Sequence, residues 1–209
     1  MLEKTPDFIG RALAGLRAGS NHLMWAEAPV GDAQKMDVSS TSFGDGGLLP
    51  AVHTADGSGV SPQISWRGTP QSAAGVLIVV EDADSPTPRP IVHLLALAPA
   101  DALGVAEEGD LNSGGGAFTL GHNSFGGAGW LPPDPPPGHG PHSYVTQVFA
   151  LAAPALLTAG FSKHDAVKAL EAGVLAFGVT HAVYGRGAAS AGAGALQPAL
   201  VRTDGGELA

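Results

Sequence analysis

The chain has 209 residues, of which 44% are hydrophobic and 14% are charged, a balance typical of a folded globular protein rather than a disordered one. Its formal net charge of −9 argues against nucleic acid or an anionic membrane surface as the partner, because both carry the same sign of charge. It contains no cysteine, which excludes disulfide bonds and thiolate chemistry. The sequence shows neither a signal peptide nor a transmembrane span, so we expect a cytoplasmic protein with no integral membrane association.

The first predicted element is an N-terminal helix. Thr5, Pro6 and Asp7 fit its N-cap, N1 and N2 positions, and Gly19 fits its C-terminal stop. We assign residues 1–30 to a helical extension, which packs either on the rest of the chain or against a second copy in a homodimer. Five apolar residues share one face of this predicted helix: Phe8, Ile9, Ala12, Leu13 and Leu16.

The middle of the chain is typical of a β protein. Short alternating segments in residues 36–66 are separated by D-G-G, A-D-G-S-G and S-P, which favours strands joined by tight turns. A capping box from Ser162 to Asp165 predicts one later helix through Ala172, and the apolar segment at 174–184 predicts a last buried strand. Many strands and few helices predict a mainly β fold, an antiparallel β-sandwich with a few peripheral helices.

One strand end carries a cluster of ionisable residues. The apolar run from Val76 to Val80 predicts a buried strand that stops at Asp82 and Asp84, and the following apolar strand carries His93. Because side chains alternate along a strand, both carboxylates fall on the same side. Buried acids and histidines cost desolvation free energy unless they are paired. We therefore predict a functional site at this rim.

A second segment completes the predicted site. Residues 121–144 are so rich in glycine and proline that neither a helix nor a strand is expected through most of them. The segment ends with His142 and Tyr144 at the start of another apolar strand.

Five motifs resemble the phosphatidylethanolamine-binding protein family and occur in the same chain order as in that family. The resemblance is strongest to its bacterial, Raf-kinase-inhibitor-like branch. The central motifs are D-x-D-x-P at 82–86, the strand histidine His93, and P-P-x-G-x-G-x-H-x-Y at 135–144. T-S-F-G-D-G-G-L-L-P with S-P-Q-I-S-W precedes them, and H-A-V-Y-G-R follows them. We therefore expect one family-like domain at 36–186, with a Gly/Ala-rich linker and tail at 187–209. The resemblance implies two antiparallel sheets of Greek-key type with a pocket at one edge.

The resemblance also implies a function and a set of site residues. Family members are small-ligand-binding proteins, so we expect this chain to bind a phosphate or phospholipid head group, or another anionic or zwitterionic ligand. We expect no cofactor and no metal. The resemblance further implies inhibition or regulation of a protein partner whose identity the sequence does not give. The ligand-binding positions implied are Asp82, Asp84, Pro86, His93, Gly126, Pro135, His142 and Tyr144.

The chemistry of these residues suits an anion. Histidine, the tyrosine hydroxyl and backbone N–H groups of residues 121–129 can all donate hydrogen bonds to its oxygens. We assign Asp82 to orienting His142 or His93 and to sharing a proton with a bound phosphate. Asp84 is equally consistent with capping backbone amides in its own turn.

Proline spacing and two departures from the family pattern give further expectations. We predict a cis peptide bond at Arg89–Pro90, where the family places one beside the pocket. Ser143 stands where the family commonly has an arginine, so an aspartate loses an ion-pair partner unless Arg89 or Arg67 replaces it. Asp134, with His139 nearby, makes the predicted mouth more acidic, which favours a zwitterionic or cationic ligand.

Two other types of site stay open. Asp82, His93, His139 and His142 include enough nitrogen and oxygen ligands for zinc, although their spacing is not distinctive. A weak esterase or phosphatase would instead use Ser124 with His142 and Asp82. The chain has no G-x-S-x-G nucleophile motif, and strand alternation points Ser143 away from His142.

Overall fold

The computed structural model describes residues 2, 5–99, 104–113 and 116–186. The predicted linker and tail at 187–209 lie outside the described residues. The described helices are α1 (Asp7–Leu13), α2 (Met24–Glu27) and α3 (Lys163–Glu171). The strands are β1 (Gln34–Lys35), β2 (Asp37–Ser39), β3 (Gly47–Leu48), β4 (Ile64–Arg67), β5 (Gly75–Asp82), β6 (Ile91–Pro99), β7 (Val105–Ala106), β8 (Thr119–Leu120), β9 (His142–Leu151) and β10 (Val174–Tyr184).

The strands form two sheets, as predicted for a mainly β sandwich. The larger sheet has the order β1-β10-β9-β5-β6-β8, with β3 also paired to β10, and the smaller sheet has the order β2-β4-β7. Pairing is antiparallel from β10 through β8 and throughout the smaller sheet. The two short strands β1 and β3 instead pair parallel to β10, at its opposite ends.

The larger sheet is buried on both faces, which explains why β5 reads as an unbroken apolar run. Alternate side chains of a strand point to opposite faces. Ile78 therefore packs in the cluster that contains Trp66 of the smaller sheet. Its neighbour Leu77 packs in the cluster that contains Leu170 of α3. The central strands need apolar side chains at every position, not at every second one.

Helix α3 is attached to the sheet through a buried carboxylate. It begins with the predicted capping box, in which Ser162 and Asp165 satisfy each other's backbone N–H groups. Lys163 Nζ lies 2.7 Å from an oxygen of Glu81, whose side chain is fully buried. Gln147 Nε2 at 2.8 Å and the Met24 amide at 2.7 Å donate to the other oxygen of Glu81. The buried charge is thus both paired and hydrogen-bonded.

The N-terminal helix is shorter than predicted and packs by a different surface. It begins at Asp7, with Pro6 rather than Thr5 at the N-cap, and ends at Leu13 rather than near Gly19. Phe8, on the predicted apolar face, is 65% exposed. The buried residue is Gly10, because the backbone of Pro137 approaches so closely that a side chain at Gly10 would clash with its carbonyl group. The helix therefore packs through Gly10, which has no side chain, and not through the apolar face that the sequence predicted.

Among the described residues, no helix is both long enough and apolar enough to span a membrane.

Candidate functional site

Neighbouring strands bring the predicted polar residues to one end of the core between the sheets. Asp82 is the last residue of β5 and pairs with Tyr144 near the start of β9. On its other side, Asp82 pairs with Ile91 at the start of β6. The register of three central strands therefore places Asp82, Tyr144 and the beginning of β6 side by side.

His93 occupies a bulge in β6. Its two neighbours, Val92 and Leu94, pair with consecutive residues of β5, so His93 itself has no register partner. Bulges re-aim side chains and are frequent beside functional sites. Here the His93 ring lies perpendicular to the ring of Tyr144, with the centroids 5.1 Å apart.

These side chains line a cavity of about 650 Å³ at the sandwich end. Its volume lies within the range of about 300–1,000 Å³ usual for small-molecule sites. The polar residues that line it include Asp82, His93, His142 and Tyr144, together with Ser85, Thr87 and Asp134. Most of the remaining wall is apolar and includes Pro86, Ile91, Phe125, Leu131, Pro132 and Pro135.

His93 lines the cavity and has one ring nitrogen without a hydrogen-bond partner in the described chain. Its Nδ1 lies 2.7 Å from the carbonyl oxygen of Leu131, so Nδ1 carries the hydrogen and donates. Its Nε2 is buried and has no hydrogen-bond partner within the described chain. Burial lowers the pKa of His93, and the nearby charge of Asp82 offsets this only in part. In the neutral ring Nε2 is therefore a hydrogen-bond acceptor.

Tyr144 lines the same cavity and carries a hydroxyl. The hydroxyl is buried and, like His93 Nε2, has no hydrogen-bond partner among the residues that the structure describes. Burial raises the pKa of Tyr144 well above its ordinary value, and the charge of Asp82 adds to the effect. The hydroxyl therefore keeps its hydrogen and can both donate and accept.

Asp82 and two histidines form a hydrogen-bonded chain behind the cavity. Asp82 Oδ2 lies 2.8 Å from His142 Nδ1, and His142 Nε2 lies 2.7 Å from His139 Nδ1. His139 Nε2 lies 2.9 Å from the carbonyl oxygen of Leu13 and 3.2 Å from that of Leu16. Asp82 therefore orients His142, as the sequence suggested, while His142 is also tied to the N-terminal segment.

The chain has a fixed hydrogen count. The carbonyl oxygens of the N-terminal segment only accept, so His139 Nε2 must donate to them. One hydrogen is then needed between His139 and His142, and one between His142 and Asp82. Three hydrogens across these side chains correspond to zero net charge, with one proton shared among an aspartate and two histidines. Burial lowers the pKa of His139, and the neighbouring His142 lowers it further.

Comparison with known proteins assigns the family. The pattern of the phosphatidylethanolamine-binding protein family matches residues 39–185. This chain belongs to that family. A relative from Methanothermobacter thermautotrophicus, named UPF0098 protein, is 31% identical over 156 residues, which cover 73% of this chain and 100% of the relative.

Two solved structures show the same fold. A phosphatidylethanolamine-binding protein homologue from Chlamydia trachomatis, CT736, is 23% identical, with a TM-score of 0.67 over 74% of this chain and 100% of that one. Escherichia coli YbcL, described as a new member of the mammalian phosphatidylethanolamine-binding protein family, is 24% identical, with a TM-score of 0.66. It covers 72% of this chain and 98% of its own.

Asp84 turns away from the cavity and has partners that the sequence did not indicate. One of its carboxylate oxygens lies 2.6 Å from Arg17 Nη1, and the other accepts the Ser143 amide at 2.7 Å. Arg17 of the N-terminal segment thus supplies the ion-pair partner that we expected an aspartate to lose at Ser143. Of the two replacements that we expected, Arg89 instead pairs with Glu27 at 3.0 Å, and Arg67 is exposed at the end of β4.

The glycine-rich loop at 121–129 does not offer its amides to the cavity. The amide of Ser124 donates to Val92, that of Gly126 to the backbone of Asn123, and that of Gly127 to the Asn123 side chain. Of this loop only Phe125 lines the cavity, and Gly126 lies outside its wall. These amides already donate hydrogen bonds within the chain. The loop therefore contributes the aromatic side chain of Phe125 to the cavity wall, not the expected set of free N–H groups.

The peptide bond between Arg89 and Pro90 is trans, contrary to our prediction. Proline lowers the cost of a cis bond but still leaves trans favoured by about 0.5–1 kcal/mol. The Thr87 hydroxyl donates to the Arg89 carbonyl within this turn, at 2.7 Å.

The cavity mouth is less acidic than the sequence suggested. Asp134 lines the cavity, but Arg186 Nη1 lies 2.6 Å from one of its oxygens and the Leu2 amide 2.7 Å from the other. Burial alone would raise the pKa of Asp134, but these hydrogen bonds and the positive charge of Arg186 outweigh it and lower the pKa. His139 is 1% exposed and lies behind the cavity, not at its mouth. The charges at the cavity mouth therefore do not favour a cationic ligand.

The alternative sites are not assembled. Ser124 lines a different depression, next to α3, and its hydroxyl accepts the Val92 amide at 2.8 Å. Both ring nitrogens of His142 and of His139 are already engaged within the chain. Within the described residues, no group of three or more His, Asp or Glu side chains is arranged to hold a metal ion.

Sequence reasoning missed two residues that shape the site. Leu131 fixes the tautomer of His93 through its backbone carbonyl, and a backbone role leaves no signal in residue type. Arg17 lies outside the region that resembles the family, where charged residues look like the exposed side of a helix. The lack of an arginine at position 143 was the one signal that a replacement was needed.

Proposed function

We propose that this family member binds a small molecule with a phosphate-bearing or other anionic head group in the cavity lined by His93 and Tyr144. One observation carries the proposal: two buried polar atoms, His93 Nε2 and the Tyr144 hydroxyl oxygen, have no partner in the described chain, and both residues line one cavity. A buried polar group left unpaired costs about 1–3 kcal/mol. A bound head group would recover that free energy.

The neighbouring aspartate does not oppose an anion as strongly as its charge suggests. Asp82 is hydrogen-bonded to His142, and the hydrogen count of the Asp82–His142–His139 chain gives it no net charge. A head group beside Tyr144 therefore meets a neutral hydrogen-bonded chain rather than an isolated carboxylate. The mouth is similarly neutralised, because Arg186 pairs with Asp134.

Binding without turnover fits the arrangement better than hydrolysis does. The Ser124 hydroxyl is occupied by the Val92 amide and faces another depression, and His142 has no nitrogen left to act as a base for it. Regulation of a protein partner is a role suggested by the family resemblance alone. The unpaired polar atoms of His93 and Tyr144 support ligand binding instead.

Titration calorimetry with inorganic phosphate and with phenyl phosphate tests the proposal. We expect saturable one-to-one binding that weakens at least fivefold in Tyr144→Phe, because the variant keeps the ring and removes only the hydroxyl. His164→Ala, which removes an exposed histidine on α3, serves as the matched control and should bind as the parent does. Absence of binding by both probes, or equal affinity of the parent and Tyr144→Phe, would overturn the proposal. Release of phosphate from phenyl phosphate that is lost in Ser124→Ala would favour the hydrolase instead.

A further inference from the structure

The cavity floor combines one fixed acceptor with one group that can donate. His93 Nδ1 is committed to the Leu131 carbonyl at 2.7 Å, so Nε2 carries only a lone pair in the neutral ring. Tyr144 adds a hydroxyl, on a ring whose centroid is 5.1 Å from that of His93. A head group that satisfies both atoms must donate one hydrogen bond to Nε2, and it can accept another from the hydroxyl. A fully deprotonated anion can only accept.

The charges around His93 do not change this count. Asp82 at the end of β5 is held by His142, and it also accepts the Asp84 amide at 2.9 Å. Asp84 is paired with Arg17 away from the cavity. On the loop side, Asp134 is paired with Arg186. The wall also contains the hydroxyls of Ser85 and Thr87, which are hydrogen-bonded to each other at 2.8 Å. No cation along this described wall reaches His93 to take over the role of a donor.

An acid that keeps one proton near neutral pH fits this floor. The second ionisation of a phosphate monoester has a pKa of about 6, so at pH 7 roughly a tenth of the ligand still carries its proton. A carboxylic acid, with a pKa of about 4.3, is protonated in only about one molecule in several hundred at pH 7, so binding in the protonated form would weaken its apparent affinity by the same factor. A phosphate diester has no proton to offer at these pH values. Of these acids, the phosphate monoester can therefore form hydrogen bonds to both atoms with the smallest loss of affinity.

The walls indicate what the head is attached to. Beyond the floor the cavity is lined by Phe125, Leu131, Ile91 and prolines, and its volume of about 650 Å³ leaves room for more than a phosphate group. Apolar walls gain free energy by covering apolar ligand surface. The complement of the whole cavity is an amphipathic molecule.

We infer that the cavity selects a phosphate monoester with an apolar body, bound as the singly protonated monoanion, in preference to the diester of an intact phospholipid. This inference rests on the proposed function and names the ligand class for the same site. It has a thermodynamic consequence: above the second pKa of the ligand, binding of the dianion must take up one proton, so affinity falls tenfold for each pH unit.

Two probes of equal charge test the inference by calorimetry. At about pH 5, below the second pKa of the monoester, phenyl phosphate and methyl phenyl phosphate are both largely monoanions, and only phenyl phosphate carries a P–OH group. We expect the monoester to bind at least tenfold tighter than the diester, and at least tenfold tighter than inorganic phosphate. Between about pH 7 and pH 9 its affinity should fall close to tenfold per unit, with uptake of one proton measured from heats in buffers of different ionisation enthalpy.

A variant locates the proton requirement. His93→Gln replaces the acceptor by an amide that can donate to a dianion, so we expect binding to persist while the pH slope falls towards zero. The pH series on the unsubstituted protein needs no variant and tests the inference even if His93→Gln folds poorly. Binding of the two esters with equal affinity, or binding of the monoester without a pH slope, would overturn the inference and leave the proposed function standing. Failure of all three probes to bind at any pH would overturn both.

Discussion

His142 and His139 join the candidate ligand site to the N-terminal segment through a direct contact between their rings. Nε2 of His142 lies 2.7 Å from Nδ1 of His139, and the far nitrogen of His139 is held by the carbonyl groups of Leu13 and Leu16. Two backbone bonds run beside this chain, from Ala18 to Ser85 at 3.0 Å and from Gly19 to Ala83 at 2.8 Å. The segment that precedes the family-matched residues is therefore part of the structure that supports the cavity.

Replacing His139 by phenylalanine should loosen the N-terminal segment. The variant keeps the ring but removes both nitrogens, which leaves the carbonyl of Leu13 and the ring of His142 without a partner. We expect the free energy of unfolding to fall by about 1–3 kcal/mol. Hydrogen exchange of the Ala18 and Gly19 amides should accelerate, while amides in the middle of β5 keep their protection relative to global stability. Unchanged exchange at Ala18 and Gly19 would show that His139 does not hold the segment.

Arg17 should contribute more to stability than a surface arginine normally does. Its ion pair with Asp84 is partly buried, with side-chain exposures of 36% and 19%, and Asp84 also holds the Ser143 amide. We expect Arg17→Met to lower the free energy of unfolding by about 1 kcal/mol in urea denaturation.

Arg89→Met is the matched control for that substitution. Arg89 pairs with Glu27, but 71% of the Arg89 side chain is exposed, so solvent screens the interaction. We expect this control to unfold close to the parent. Equal losses in the two variants would mean that Arg17 does not substitute for the family arginine.

Lys163→Met should destabilise the protein by leaving the fully buried Glu81 carboxylate without its cation. We expect a loss of about 2–3 kcal/mol, less than for a completely buried pair because Lys163 is 25% exposed. Lys168→Met, at an exposed position of the same helix, is the control and should be nearly neutral. The double variant Lys163→Met with Glu81→Gln should recover part of the loss. A double variant less stable than Lys163→Met alone would contradict the charge argument.

Stability should fall as the pH is lowered below about 6.5. The pKa values of His93 and His139 are lowered from 6.5 in the folded chain, chiefly by burial. The unfolded chain therefore binds more protons than the folded chain, and the contribution of these histidines, complete above the unfolded pKa, is lost as the pH falls towards the folded pKa. Each contributes at most about 1.4 kcal/mol per pH unit. Urea unfolding between about pH 7 and pH 5 should show a smaller slope for His93→Gln than for the parent, and identical slopes would contradict the assignment.

The sequence predicted those parts of the fold that depend on local pattern. The apolar runs of β5, β9 and β10 and the capping box of α3 are local signals, and each element formed where its pattern lies. The prediction failed where tertiary contacts decide. Gly10 packs because the Pro137 backbone comes close, although the apolar stripe of α1 suggested another contact surface.

The site was predictable to the extent that strand register fixes it. Asp82, at the end of β5, and Tyr144, near the start of β9, lie side by side because the two strands pair. The alternation of side chains along each strand determines the face of the sheet to which each side chain points. The partner of Asp84 was not predictable, because Arg17 belongs to a segment whose docking no pattern within β5 reports. The glycine-rich loop misled for a physical reason: glycines allow a cradle, but the side chain of Asn123 uses the amides for a compact turn.

The side-chain nitrogen resonances of His93 report most directly on whether the cavity is a binding site. We predict that phenyl phosphate, added to protein with nitrogen-labelled histidine, shifts Nε2 of His93 in a saturable way and leaves the exposed His164 unchanged. A His93 Nε2 resonance that does not move at saturating phenyl phosphate would contradict the account.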